Sequence, residues 1–303
     1  MSFVRPILNL WLRWTEKTYL ARATDPVEIR RSFEAKARIY FHAPFGTRFW
    51  SDTIAGRTVE WACARKVDAE TGPLLLYFHG GAYVFGSPKT HRAMLARLSA
   101  KTGLPACLPS YRLAPEHPFP AAVEDALAVY KAVMARPGGV ILGGDSAAGG
   151  LVLALHSLIC HEGLMEPLGV FALSPLTDMT YSGESVVSQA EAEVILPAER
   201  VDEIADFYLN GGDATDPRVS PLFADFSGAS PVWICAGDTE IFLDDTRRMT
   251  HRLRSQGVSV TEVIEHDLPH VWPLFHNILP EARKTLDQLA KWIRSLSYPP
   301  TDN

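Results

Sequence analysis

Residues 72–80, GPLLLYFHG, form an unbroken apolar run that ends on a glycine turn, the pattern of a strand buried on both faces. Ahead of it, GRTVEWACAR (56–65) alternates apolar and polar positions like an antiparallel strand. Beyond it the period switches back and forth. THRAMLARLSAKTG (90–103) reads as a helix closed by Gly103 at its C-cap, LPACLPS (104–110) as a short strand, and AAVEDALAVYKAVMA (121–135) as a helix. GGVILGG (138–144) is a strand, and AAGGLVLALHSLIC (147–160) a helix so apolar that it must be buried. LGVFALSP (168–175), SPVWICAG (230–237) and VSVTEVIEH (258–266) read as strands, Leu243–Ser255 and EARKTLDQLAKWIRSL (281–296) as helices.

This alternation predicts an α/β fold with a mostly parallel sheet covered by helices on both faces. Residues 1 to about 45 read as two helical segments broken near Thr24-Asp25-Pro26, with Asp25 as N-cap and Pro26 at the first helical position. The first of them, MSFVRPILNLWLRWTEKTYL, is interrupted by Arg5, Pro6, Asn9 and Arg13 and is too short to span a bilayer. It reads as an amphipathic helix that packs through Trp11 and Trp14, a membrane-surface helix being the alternative. Residues 178 to about 220 are long and polar between two strands, which marks a functional insertion such as a lid.

Composition narrows the class. An apolar fraction of 47% and a charged fraction of 21% suit a globular chain with a sizeable core, and a net charge of −6 leaves no basic footprint for nucleic acid. Cys63, Cys107, Cys160 and Cys235 lie far apart in apolar segments, so free thiols and a cytoplasmic location are expected.

Candidate chemistry centres on ILGGDSAAGG (141–150). Ser146 stands between a predicted strand and a predicted helix among small residues, the setting of a nucleophile on a sharp turn. The plainer alternative is the cap of a buried helix. The G-x-S-x-G pattern is met at Gly144 and Ser146, with Ala148 in the last place. A serine hydroxyl needs a base and donors for the oxyanion that forms on attack. Donors are expected from YFHGGAYVFG (77–86): the N–H groups of Gly80 and Gly81, joined by Ala147, with His79 holding the loop. The base is expected in EHDLPHVWPLF (265–275), at His270 rather than His266 or the following His276, because His270 stands on a loop after the last strand. A metal set of His266, Asp267 and His270 lacks helix-spaced ligands. The acid that orients the histidine is expected in GDTEIFLDD (237–245), at Asp238, Glu240, Asp244 or Asp245.

Four stretches together, HGGAY at 79, YRLAPEHPFPAAVEDA at 111, GDSAAGG at 144 and AGDTEIFLDD…LPH from 236 to 270, resemble the hormone-sensitive-lipase-like (bacterial family IV) carboxylesterases. The resemblance runs from about residue 70 to the C-terminus. It implies an eight-stranded α/β-hydrolase sheet in a catalytic domain over 46–303, and a helical cap built from 1–45 and the insertion at about 178–220. It implies Ser146 as nucleophile, His270 as base and, by alignment of EIFLDD with the family's acid motif, Glu240 as acid. Ala82 and Ala148 depart from the family's glycines. The implied reaction is hydrolysis of short-chain acyl esters through an acyl-enzyme, with no metal or cofactor. A small-molecule ester is the expected partner, a homodimer is suggested, and Tyr83, Phe85, Tyr208 and Trp272 are expected to line an apolar substrate pocket. A lactone or the acetyl ester of a specific metabolite would use the same machinery. A non-catalytic receptor and a triacylglycerol lipase are the rival readings; retention of His270 speaks against the first and the short insertion against the second.

Overall fold

The computed structural model describes residues 2–70 and 72–296. Helix α1 (Val4–Leu12) runs through a π-helical turn (Arg13–Lys17) into α2 (Thr18–Leu20), and α3 (Pro26–Tyr40) follows. Asp25 caps α3 by accepting from the Val27 N–H at 2.8 Å, with Pro26 in the first turn, as its sequence predicts.

The sheet follows: β1 (Arg48–Ile54), β2 (Arg57–Cys63), β3 (Leu74–Phe78), β4 (Ala106–Pro109), β5 (Val140–Asp145), β6 (Gly169–Leu173), β7 (Val232–Gly237) and β8 (Val260–Glu265). They lie in the order β1-β2-β4-β3-β5-β6-β7-β8. β1/β2 and β2/β4 pair antiparallel and the rest parallel. β1 was not among the expected strands. It is a half-exposed edge strand, so no buried alternation betrays it. Its one local signal is Ala55-Gly56, whose φ values of 49° and 73° make the two-residue hairpin turn into β2.

Helices α4 (Pro88–Thr102), α5 (Ala121–Val133), α6 (Ser146–Glu162), α9 (Leu243–Ser255) and α10 (Pro280–Ser295) cover the sheet. Between β6 and β7 the chain departs into α7 (Ser185–Ser188) and α8 (Val201–Leu209). Period-2 alternation divides the core: Leu74, Leu76 and Phe78 of β3 join the cluster under α5, α6 and α9, while Leu75 and Tyr77 join the cluster under α4 and α10. Leu8 and Leu12 bring α1 into the second cluster. All four cysteines are free, and Cys160 is only half-buried.

The N-terminal helices and the 178–220 segment hold each other. Arg13 donates to the carbonyls of Glu191 and Ala192, Lys17 Nζ to that of Glu193 at 2.8 Å, and Arg200 to those of Leu20 and Ala23. Trp11 is half-buried against Tyr40, but Trp14 does not pack as expected: it is exposed.

Candidate active site

Strand β5 passes into α6 at Ser146, whose φ is +52°. A left-handed backbone at a non-glycine residue costs on the order of 1–3 kcal/mol and persists only where its surroundings impose it. Here they are packed to contact. A Cβ on Gly144 would lie 2.3 Å from the Ala148 carbonyl oxygen, and one on Gly150 would lie 2.0 Å from that of Leu176. Ala148, at the position where the pattern has glycine, is fully buried.

His270 follows β8 on a loop in which Val271, β-branched, also has positive φ (51°). The Val271 N–H donates to Ser174 Oγ at 3.1 Å, and Ser174 Oγ donates to Glu240 Oε1 at 2.8 Å. Glu240 Oε1 also accepts from the Gly237 N–H at 2.6 Å. The remaining oxygen, Glu240 Oε2, lies 2.7 Å from His270 Nδ1. A carboxylate accepts, so Nδ1 carries the proton and Nε2 presents its lone pair to Ser146 Oγ, 2.9 Å away. Burial lowers the proton affinity of His270, but the hydrogen bond and charge of Glu240, with Glu193 and Asp145 farther off, outweigh it and hold the imidazole above its usual value.

The other acids are engaged elsewhere. Asp238 holds His266 at 2.7 Å, Asp244 accepts from the Ser185 N–H, and Asp245 accepts from the N–H groups of Thr177 and Asp178. His276 is buried, its Nε2 near the His42 carbonyl. His79 Nδ1 donates to the Gly80 carbonyl and its ring stacks on Tyr111; burial depresses its pKa to about 3, so it is a neutral brace.

Two expectations need correction. The Gly80 N–H is not available to an oxyanion: it donates to Asp145 Oδ1 at 2.9 Å. Among the described residues no hydrogen-bond acceptor takes the N–H groups of Gly81, Ala82 or Ala147, and all three residues face the cavity of Ser146. Tyr83, Tyr208 and Trp272 do not line that cavity. Tyr83 and Tyr208 stack on each other behind it (centroids 3.7 Å apart), and Trp272 is buried with its indole N–H on Thr285. Phe85 does line it.

The cavity, about 180 Å³, joins Ser146 and His270 to an apolar wall from the N-terminal helices (Trp11, Phe33, Tyr40) and from the insertion (Leu196, Ile204, Phe207). Sequence reasoning named none of these six as site residues, because an aromatic or aliphatic side chain on a helix reads the same whether it faces a core or a cavity. It also passed over Glu193, which is buried in the insertion and accepts from the N–H groups of Val194 and Ile195. Of potential metal ligands, His156, Cys160 and Glu166 converge near the far end of α6, where His156 Nε2 already lies 3.2 Å from Glu166 Oε2; none of them faces the serine's cavity.

The model of an alpha/beta hydrolase fold family matches residues 75–274. An acetyl-hydrolase of Streptomyces hygroscopicus is 34% identical over 80% of this chain and 81% of its own. The crystal structure of the esterase EstE5 soaked with p-nitrophenyl butyrate superposes with a TM-score of 0.90 at 35% identity, covering 98% of this chain and 99% of that one. An esterase from the bacterial hormone-sensitive lipase family superposes equally well, with a TM-score of 0.90 at 34% identity and the same coverage.

Proposed function

This chain belongs to the hormone-sensitive-lipase-like branch of the α/β-hydrolase fold and is a carboxylic ester hydrolase; from that premise we propose that it cleaves short-chain acyl esters by acyl transfer through Ser146. The observation that carries the reading is the line Ser146–His270–Glu240, with contacts of 2.9 and 2.7 Å. Ser146 Oγ attacks the acyl carbon as its proton passes to His270 Nε2. Glu240 keeps the imidazole in the tautomer that can receive it. The N–H groups of Gly81, Ala82 and Ala147 stabilise the oxyanion. His270 then protonates the departing alkoxide, and the alcohol leaves an acyl-Ser146 ester. Water attacks that ester with His270 again as base, the acid departs, and the proton returns to Ser146 Oγ.

Residues 1–45 and 178–220 act together as a cap over this centre, the wall they supply being apolar. The butyrate ester used with EstE5 and the acetyl-hydrolase relative both favour a short acyl group, and the latter favours an acetyl ester within that class. A sulfonyl fluoride tests the assignment. Treated enzyme should lose p-nitrophenyl butyrate turnover and carry one sulfonyl adduct, on the peptide holding Ser146. Inactivation with the adduct elsewhere, or full activity with Ser146 modified, would overturn it.

A further inference from the structure

The loop between β3 and α4 holds an uncommon backbone. Gly81, Ala82 and Tyr83, three residues in a row, have φ of 121°, 55° and 60°. Glycine takes positive φ freely, whereas alanine and tyrosine keep it only where their surroundings impose it. Inside the loop the N–H groups of Val84 and Phe85 donate to the Gly81 carbonyl at 2.9 and 2.8 Å. From outside, the Ala114 N–H donates to the Tyr83 carbonyl at 2.9 Å. The N–H groups of Gly81 and Ala82, by contrast, have no acceptor among the described residues, so their aim is set by whatever holds the rest of the loop.

Arg30 of α3 joins the loop to the segment that braces it. Its Nε donates to the Val84 carbonyl at 2.7 Å and its Nη2 to the Ala114 carbonyl at 2.7 Å. Ala114 already holds Tyr83, so one guanidinium closes a ring of hydrogen bonds through Tyr83, Val84 and Ala114. Glu116 accepts from the outer edge of the same fork, at 2.8 Å from Nη1 and 2.7 Å from Nη2, which fixes its plane. Along the helix, Phe33 packs edge-on against Phe85 (5.6 Å) and Glu34 accepts from Ser87 Oγ. Positions 30, 33 and 34 share one face of α3, and they meet residues 84, 85 and 87. Phe33 lines the serine's cavity and Arg30 does not, so Arg30 reaches the reaction only through the loop.

We propose that Arg30 is the positioning residue of the oxyanion loop: tied to the Val84 and Ala114 carbonyls, it holds the Gly81 and Ala82 N–H groups where they meet the negative oxygen. The proposal rests on acyl transfer through Ser146. It makes α3 a contributor to the chemical step as well as to the cavity wall. Lysine cannot stand in, because a single ammonium lacks the planar fork that spans two carbonyls and a carboxylate.

The test is p-nitrophenyl butyrate kinetics of the full chain, for wild type, Arg30→Ala and Arg30→Lys. Active sites are counted by titration with diethyl p-nitrophenyl phosphate. A second readout is inhibition by an alkyl trifluoromethyl ketone. Ser146 Oγ adds to its carbonyl carbon, the hydroxyl proton passes to His270, and the ketone oxygen becomes the oxyanion. Both variants should lose about 10- to 100-fold in kcat per titrated site, with KM within about 2-fold of wild type and the ketone's Ki raised by the same factor as kcat falls. A merely structural role would lower the thermal melt and the number of titrated sites while kcat per site and Ki stay at wild-type values; that result overturns the proposal. A lysine variant with wild-type kcat overturns it as well. If Arg30→Ala does not fold, Arg30→Lys decides alone. A wild type that neither turns over the ester nor reacts with the phosphate overturns the acyl-transfer reading, and this proposal with it. An active, titratable wild type with unimpaired variants overturns the role of Arg30 only.

Discussion

Asp145 transfers no proton in the proposed reaction, yet Tyr77 Oη donates to it at 2.6 Å, the Gly80 N–H at 2.9 Å, and His91 Nε2 lies 3.3 Å away. It ties the residue before the nucleophile to the loop whose next N–H groups face the oxyanion. Asp145→Ala leaves the Tyr77 and Gly80 donors buried and unpaired, a cost of roughly 2–6 kcal/mol at about 1–3 kcal/mol for each. Urea unfolding should show that loss, and kcat should fall with it. Tyr208 is the opposite case. Its hydroxyl is buried without a partner and lies behind the cavity, so Tyr208→Phe should leave kcat/KM unchanged and stability equal or higher. A change in substrate preference in that variant would return Tyr208 to the pocket. At His270 the raised pKa has a definite sign. The base must be neutral to act, so kcat/KM should climb with pH through a value above 6.5. Glu240→Gln removes the anion that holds the imidazolium, so the limb should move to lower pH while kcat falls by about 10⁴-fold. Serine and histidine were legible in sequence because each follows a predicted strand on a turn of its own; position alone did not separate Glu240 from Asp238, Asp244 and Asp245, and only the resemblance to the family's acid motif pointed to it. Gly80 was not legible, since its occupation depends on where the Asp145 carboxylate points. Nor could Tyr83, Tyr208 and Trp272 be sorted into wall or core from their chemistry alone.

At the scale of elements, the junction of β5 and α6 is a packing device as much as a chemical one. The glycines after Ser146 let α6 pass against the loop at Pro175 and Leu176. Gly150→Ala would drive a methyl to 2.0 Å from the Leu176 carbonyl oxygen, and a backbone atom cannot step aside as a side-chain tip can. A loss of about 3 kcal/mol or a failure to fold is expected, at the upper end of overpacking costs. The central strands and the long helices were legible because burial on two faces writes a continuous apolar run and burial on one face writes a 3.6-residue period. β1 was not legible, because an edge strand exposed along much of its length writes neither. Its pairing is fixed by the turn at Ala55-Gly56 and by the partner strand, and stacking of Trp50 on Trp61 (5.5 Å) then holds the register.

For the whole molecule, the sheet supplies fixed strand ends and the segments outside it supply the apolar wall. Serine, acid and histidine follow the ends of β5, β7 and β8, which lie in the same half of the sheet with β6 between β5 and β7, though 124 residues separate Ser146 from His270 in the chain. The wall comes from the N-terminal helices and the insertion, which are held to each other through Arg13, Lys17 and Arg200. On the proposed reading, substrate preference would lie in cavity-lining residues such as Phe33 and Phe207 and the reaction in Ser146, His270 and Glu240. The most direct measurement is hydrolysis of p-nitrophenyl esters from acetate to palmitate by wild type and by Ser146→Ala. The account predicts turnover concentrated on the short esters and a fall on the order of 10⁶-fold in kcat for the variant. Comparable turnover by Ser146→Ala, or a wild type inert toward every short ester, would contradict it.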